Sequence, residues 1–441
     1  MSICIGIRRE DKYKFEKRVA LTPEYIDYLK NKYGYDFIVQ PSNNRIFKDE
    51  EFIKSGARIQ DDLSECKVIF GVKEMPVKFF EEDKTYVFFS HTIKCQPYNM
   101  PMLMKMMDLK CNLIDYEKIV DEEGRRLIFF GKYAGYAGTI NTLWSLGLRL
   151  NHKGIKTPFL KLKQTHNYNS LEEARKVMSE LGQEIIEKGL PKELCPFVIG
   201  ITGYGNVSCG AQDILNLLPT KEISPEELLE LKGREDLPNN IIYRVIFKEK
   251  DISVRRDGKE FVLEDYYKNP SLFKNNFRQY VPQLSVLLNC MYWTKEYPRI
   301  ISKAFLSEIF SNGEPKLQAI GDISCDVNGS VECTVEATEI ENPIYVYNPS
   351  EEDVTYGYEG EGMLVMAVDI LPSELPREAS ESFSKVLINF LKPIAEADYK
   401  VNFNDLQLPM SLKNGMILHK GELTPSYKYI ENCLDQVISR K

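Results

Sequence analysis

Apolar residues along this chain fall into short uninterrupted runs, separated by longer stretches in which they recur at every third or fourth position. The runs ICIGI, DFIVQP, SECKVIFGV, KTYVFFS, CNLIDYEKI and RRLIFFG have strand character. The stretches PEYIDYLKNKYG, KDEEFIKSGARI and NMPMLMKMMDLK have helical spacing. Pro23 opens the first helix, with Thr22 placed to cap its start and Gly34 its end. RREDKYKFEKRVALTP reads as a charged loop. Alternating strands and helices of this size predict an α/β fold with parallel sheets.

Farther along, YAGYAGTINTLWSLGLRL (133–150) predicts a long helix leaving the first domain, with Gly135 and Gly138 permitting close packing. Another helix is expected over 170–189. CPFVIGITGYGNVSCGAQDILNLLP then supplies a strand, a glycine turn and a helix. Residues 232–282 are charged and tyrosine-rich and read as an insertion carrying a hairpin, with a two-residue turn at Asp257-Gly258. LSVLLNCMYW and LQAIGDIS are two further apolar strands. A helix begins near Pro376, and the segment 376–441, too short for a domain, is expected to pack back on the first one.

With 441 residues, two domains are the default, because a single core rarely grows past about 250–300 residues. The net charge of −8 argues against non-specific nucleic-acid binding. No apolar run of about 18 residues suggests a membrane span, and the N-terminus lacks the pattern of a signal or transit peptide, so a cytoplasmic setting is expected. The ten cysteines form no CxxC pair and there are only four histidines, so no metal site is expected; the cysteines read as reduced core residues.

Chemistry concentrates in two places. In VIGITGYGNVSCGA the glycines allow a tight turn and close approach of a pyrophosphate to a helix N-terminus, making Gly203, Gly205, Asn206 and Val207 candidates for cofactor binding. The spacing is GxGxxxxG rather than GxGxxG. A dinucleotide fold commonly ends its second strand with an acid that binds ribose hydroxyls. That strand is expected near TKEIS, where Ser224 in the acidic slot, with Lys221 nearby, would suit a 2′-phosphate and hence NADP(H); Glu222 would serve NAD(H) instead. In the first domain, Lys73, His91 and Glu117 each follow a strand (FGVK, FFSH, LIDYE), and strand ends of an open parallel sheet gather at one edge. Singly, such residues are ordinary surface or structural groups. Together they suit proton transfer near neutral pH.

The motifs RREDKYKFEKRVALTP, GVKEMP, FFSHTIK, LIDYEK, GRRLIFFGKYAGYAG, TGYGNVSCGA, DISCDVNGS and LPSELPREAS, in this order, resemble the saccharopine dehydrogenases of the lysine-forming type. The likeness is greatest to the lysine-ketoglutarate reductase half of the bifunctional aminoadipic semialdehyde synthases, with a more distant similarity to alanine dehydrogenase and transhydrogenase. The resemblance implies two Rossmann-like domains with an active site in the cleft between them. One would comprise 1–135 plus 376–441, the other 136–375 with the insertion at about 232–282. It implies reductive condensation of L-lysine and 2-oxoglutarate to saccharopine, with NADPH in the reductase branch or NAD in the fungal relatives. Lys73 and His91 would be the acid–base pair, tuned by Glu74 and Glu117. Arg18 and Arg126, with Arg9 and Arg125 as weaker candidates, would clamp substrate carboxylates, and Asp322 would touch cofactor or substrate. Cys209 stands where the family often has a basic residue. Saccharopine would pass to a separate saccharopine-oxidising enzyme, and either the breakdown or the synthesis of lysine is open. An alanine dehydrogenase-like amino-acid dehydrogenase and a nucleotide-binding module without chemistry are the other readings.

Overall fold

The computed structural model describes residues 2–234 and 236–438, so the last three residues of the C-terminal segment lie outside it. The chain divides into two compact units, Met1–Phe130 with Pro376–Lys441 and Gly131–Leu375. Each is built on its own eight-stranded sheet.

In the first unit β1 (Cys4–Ile7), β2 (Asp36–Val39), β3 (Arg58–Ile59), β4 (Val68–Phe70), β5 (Thr85–Phe88) and β6 (Asn112–Asp115) run parallel. The C-terminal segment adds β17 (Met416–His419) antiparallel to β6, and then β18 (Glu422–Leu423). The order is β18-β17-β6-β5-β4-β1-β2-β3. β4 and β5 are neighbours in register Val68↔Thr85 and Phe70↔Val87, which brings their C-terminal ends side by side. Helices α1 (Pro23–Tyr33), α2 (Asp49–Lys54), α3 (Met100–Asp108), α11 (Pro376–Glu396), α12 (Met410–Gly415) and α13 (Glu431–Ile438) complete the unit. α1 starts at Pro23 as its sequence predicts, although the Thr22 hydroxyl makes no cap hydrogen bond, and it stops as predicted: Gly34 sits in the left-handed region at φ 72° and its N–H closes on the Lys30 carbonyl.

Two expectations fail here. RRLIFFG is not a strand, since only an isolated bridge joins Val120 and Arg126. Its apolar content serves packing instead, as Phe130 stacks on Phe383 at 4.5 Å. Nor are all cysteines reduced: Cys95 and Cys433 form a disulfide spanning 338 residues.

The second unit orders its strands β15-β14-β16-β13-β12-β7-β9-β8. These are β7 (Phe197–Thr202), β8 (Thr220–Glu222), β9 (Ile242–Phe247), β12 (Val286–Asn289), β13 (Ala319–Asp322), β14 (Ile344–Asn348), β15 (Asp353–Tyr356) and β16 (Met363–Met366). A separate antiparallel pair, β10 (Ser253–Arg255) and β11 (Phe273–Asn275), stands apart from the sheet. The helices are α4 (Gly131–His152), α5 (Leu171–Lys188), α6 (Asn206–Leu215), α7 (Pro225–Glu230), α8 (Glu249–Ile252), α9 (Leu263–Lys268) and α10 (Lys303–Ser311). α4 packs backbone to backbone on α6. A Cβ on Gly135 would lie 2.1 Å from the Val207 carbonyl oxygen, and one on Gly210 equally close to that of Lys132. No helix among the described residues is long and apolar enough to cross a membrane.

The segment read as an insertion is corrected in two ways. Ile242–Phe247 is not part of a hairpin but a full strand of the eight-stranded sheet, parallel to β7 and paired with it along its whole length; in this sheet only β14 runs against its neighbours β15 and β16. The pair β10–β11 is joined not by a two-residue turn but by residues 256–272, which include α9.

Candidate functional site

The loop after β4 carries Lys73 and Glu74, and the loop after β5 carries His91. Because the strands are adjacent, the side chains of Glu74 and His91 meet, while the Lys73 ammonium lends its charge to Glu16. His91 Nδ1 lies 2.8 Å from Glu74 Oε1, which also accepts from the Lys12 ammonium at 2.6 Å. Glu74 is buried, which by itself would raise its pKa; the hydrogen bond and charge of His91, with Lys12 adding to them, carry it down to about 2 instead. It is therefore a carboxylate, and His91 Nδ1 is its donor, which leaves Nε2 free to exchange a proton. Glu74 Oε2 is buried with no hydrogen-bond partner among the described residues.

His91 has φ 49°, in the left-handed region that non-glycine residues rarely adopt. Several contacts hold it there. Asn99 Nδ2 donates to the His91 carbonyl at 3.2 Å, and the ring stacks on Phe89. The preceding Ser90 donates both its N–H and its hydroxyl to Asp115 at the end of β6. Farther on, the Cys95–Cys433 disulfide and a 2.7 Å bond from the Tyr429 hydroxyl to the Ile93 carbonyl tie the loop to the C-terminal segment. Backbone strain of this kind is stored where the surroundings over-determine a geometry.

Lys73 is positioned through its backbone by a residue that sequence reasoning missed. Glu10 is fully buried in the charged loop after β1. It accepts the Val72 N–H at 2.8 Å on one oxygen and the Lys73 N–H at 2.9 Å on the other. Burial is the chief cause that raises its pKa from 4.5 to about 7, and the charge of Glu16 adds to it; Arg8 and the two N–H donors pull the other way. Since the folded value lies above the unfolded one, this group's contribution to stability is fully present below about pH 4.5 and is lost as pH rises through 7. Glu10→Gln has no such loss. The stability gap between wild type and Glu10→Gln should therefore narrow by on the order of 3 kcal/mol between pH 4.5 and pH 8, as read by urea unfolding. A gap that does not change with pH would mean that Glu10 keeps one charge state throughout.

The remaining first-unit candidates sit differently. Glu117 pairs with Arg126, and its N–H donates to Asp115 Oδ1 at 2.8 Å. Arg126 is half-exposed. Arg9 and Arg125 lie in exposed pairs with Asp61 and Asp121. Arg18 is 4% exposed. Its guanidinium holds both oxygens of Glu16, at 2.8 and 2.6 Å, and lies 4.2 Å from the centre of the Phe130 ring. That is a buried bidentate ion pair, in which Nε and Nη2 are engaged by Glu16.

In the second unit β7 ends at Thr202, Gly203 turns at φ 83°, and Gly205 caps α6 without any side-chain hydrogen bond. A Cβ on Gly203 would press on the Cys290 carbonyl at 3.2 Å, whereas one on Gly205 would meet nothing within 4 Å. The first-turn N–H groups of α6, starting with Asn206 and Val207, thus have an uncrowded approach and no competing side chain, which fits a pyrophosphate. Ser224 is corrected. Its strand, β8, is the sheet edge and does not touch β7, and its hydroxyl accepts the Glu227 N–H as the cap of α7. Between β8 and β7 lies β9, which runs into Lys248 and Glu249. Glu249 accepts from the Tyr267 hydroxyl at 2.7 Å and from Tyr204, in the glycine turn, at 3.4 Å. The Lys248 ammonium lies 5.8 Å from the Tyr204 ring centre. Asp322 closes β13 but is 1% exposed, and both oxygens are taken, one by Asn289 and the Cys325 N–H, the other by Thr334. It locks strand ends together.

A glycine turn fitted to a dinucleotide on one largely parallel sheet, and ionisable strand ends on another, are the architecture of the two-unit α/β dehydrogenase fold. The fold agrees. A solved L-alanine dehydrogenase covers 98% of this chain and 100% of its own, at TM-score 0.63 and 15% identity, and a transhydrogenase from Sinorhizobium meliloti follows at 0.55. Residues 6–137 match the N-terminal domain of alanine dehydrogenase/PNT and residues 274–426 its C-terminal domain. The chain is 40% identical over 442 residues to the alpha-aminoadipic semialdehyde synthase of Arabidopsis thaliana and 35% to the mitochondrial one of Mus musculus, matching 97% of its own length in each case. It is 28% identical to the saccharopine dehydrogenase [NAD(+), L-lysine-forming] of Emericella nidulans, covering 92% of that protein. The chain is a homologue of these synthases and saccharopine dehydrogenases and carries both domains of the alanine dehydrogenase/PNT type. It spans 41–47% of the length of the synthases it matches.

Proposed function

We propose that the chain condenses L-lysine with 2-oxoglutarate and reduces the product to saccharopine, using NADPH. The observation that carries this reading is the Glu74 carboxylate, with one oxygen on His91 and Lys12 and the other buried and unpaired. A buried carboxylate oxygen without a donor suits a substrate ammonium, and the neighbouring groups suit the proton traffic that imine formation needs. Lys73 removes a proton from the attacking ε-ammonium. His91, held by Glu74 through Nδ1, delivers one to the departing hydroxyl of the carbinolamine from Nε2. Arg126 is the arginine left for a substrate carboxylate, with Glu117 as its counter-ion. Bound at the α6 N-terminus, a nicotinamide dinucleotide supplies the hydride that reduces the imine carbon. Lys248, rather than Ser224 with Lys221, is the group placed toward a 2′-phosphate.

A second reading of the cofactor, NADH, is favoured by Glu249, since a carboxylate after the strand next to β7 is the acceptor a ribose diol needs. One assay addresses both questions. Oxidation should require lysine and 2-oxoglutarate together, and NADPH should exceed NADH. Activity with ammonia in place of lysine would instead identify an amino-acid dehydrogenase. A clear NADH preference, abolished in Glu249→Ala, would establish the second reading.

A further inference from the structure

Cys4 opens β1, and Cys66 lies just before β4, the strand paired with β1. Their sulfurs are 2.9 Å apart, against about 2.05 Å in a formed disulfide. They lie at the start of their strands, opposite the edge that carries Lys73. The two thiols are not equivalent. Cys66 is fully buried, whereas Cys4 is partly exposed. The Arg58 guanidinium, bound to Glu65, reaches to 4.0 Å from the Cys4 sulfur. We propose that Cys4 and Cys66 form a redox-active dithiol that exchanges with small-molecule disulfides, Cys4 attacking and Cys66 resolving.

The asymmetry of surroundings sets the order of attack. The hydrogen bond from Cys66 favours the Cys4 thiolate most, and Arg58 adds to it, against burial and the charges of Glu65 and Asp36. The same hydrogen bond, with burial and the charge on Cys4, holds the Cys66 thiol protonated, against Lys84 and Arg58. The thiolate is the nucleophile in such exchange. The Cys4 thiolate attacks one sulfur of the disulfide, and the leaving thiolate takes up a proton. Cys66 then loses its proton and attacks the Cys4 sulfur of the mixed disulfide, expelling the second thiol. Two protein thiols are oxidised by two electrons and one external disulfide is reduced to two thiols. The product staples β1 to the segment before β4.

The test uses the full chain titrated with oxidised glutathione, quenched with N-ethylmaleimide and digested with trypsin, which separates peptides 1–8 and 59–67. In the wild type these two should become cross-linked, with no lasting glutathione on Cys4. In Cys66→Ala, glutathione on Cys4 should accumulate at least about 10-fold over wild type, because the resolving step is gone. In Cys4→Ala, Cys66 should stay unmodified. The cross-linked wild type should also melt at least about 5 °C higher than the dithiol form, since the bond closes a long loop. The proposal is overturned if both thiols remain alkylatable at disulfide concentrations that load the exposed Cys209, or if Cys66 takes up glutathione in Cys4→Ala. The wild-type cross-link decides by itself where a variant does not fold, and no outcome depends on the proposed reaction.

Discussion

Replacing Lys73 by methionine is expected to lower kcat for lysine- and 2-oxoglutarate-dependent oxidation of NADPH by about 100- to 10,000-fold, the range a positioned acid–base group supplies. Methionine keeps the length and apolar stem of lysine and removes the ammonium. The two N–H bonds from Val72 and Lys73 to Glu10 are made by backbone and survive the change. Glu16 loses the favourable charge of Lys73 but keeps Arg18, which contributes more to its ionisation. The melting temperature should therefore stay within a few degrees of wild type. Binding of NADPH, read by its fluorescence, should also be unchanged. A kcat within about threefold of wild type would remove Lys73 from the proton path and leave His91 as its remaining member. A loss of cofactor binding would mean that the substitution acts through the fold and not through the chemistry.

The ends of β4 and β5 were legible because both strands are buried throughout, and an apolar run that stops near an ionisable residue reads the same in sequence and in space. The glycine turn was legible for the same reason, since Gly203 and Gly205 have no apolar explanation. β9 was misread because only the three residues of β8 cover its outer side. Arg244 and Ile246 are accordingly half-buried, and the resulting alternation, with Lys248 to Asp251 behind it, looked like a surface hairpin. That error displaced the cofactor candidate from Lys248 and Glu249 to Ser224. Glu10 carried no signal at all: one acid in a run of charges is distinguished only by the two N–H groups that fold onto it. The Cys95–Cys433 pairing was equally invisible, because cysteines so far apart in sequence are joined by how the C-terminal segment returns to β6, not by their spacing.

The burial of Arg18 turns an expected substrate clamp into a stability prediction. Arg18→Met leaves the Glu16 carboxylate, whose side chain has no exposed surface, without its bidentate partner. Breaking a buried pair from one side costs about 3–5 kcal/mol, which should lower the melting temperature by about 10 °C for a unit of this size. The pH dependence gives the cause. Burial alone would raise the pKa of Glu16, but Arg18, aided by Lys73, outweighs it and holds the group below its usual 4.5. Its contribution is therefore present above the unfolded value and lost as pH falls through the folded one. In Arg18→Met burial prevails, Glu16 protonates more easily, and the deficit against wild type should be largest near neutral pH and shrink toward pH 4. Adding Glu16→Gln to Arg18→Met should recover much of the loss, because removing both charges of a buried pair is far cheaper than removing one. A raised KM for 2-oxoglutarate with an unchanged melting temperature would instead return Arg18 to the substrate.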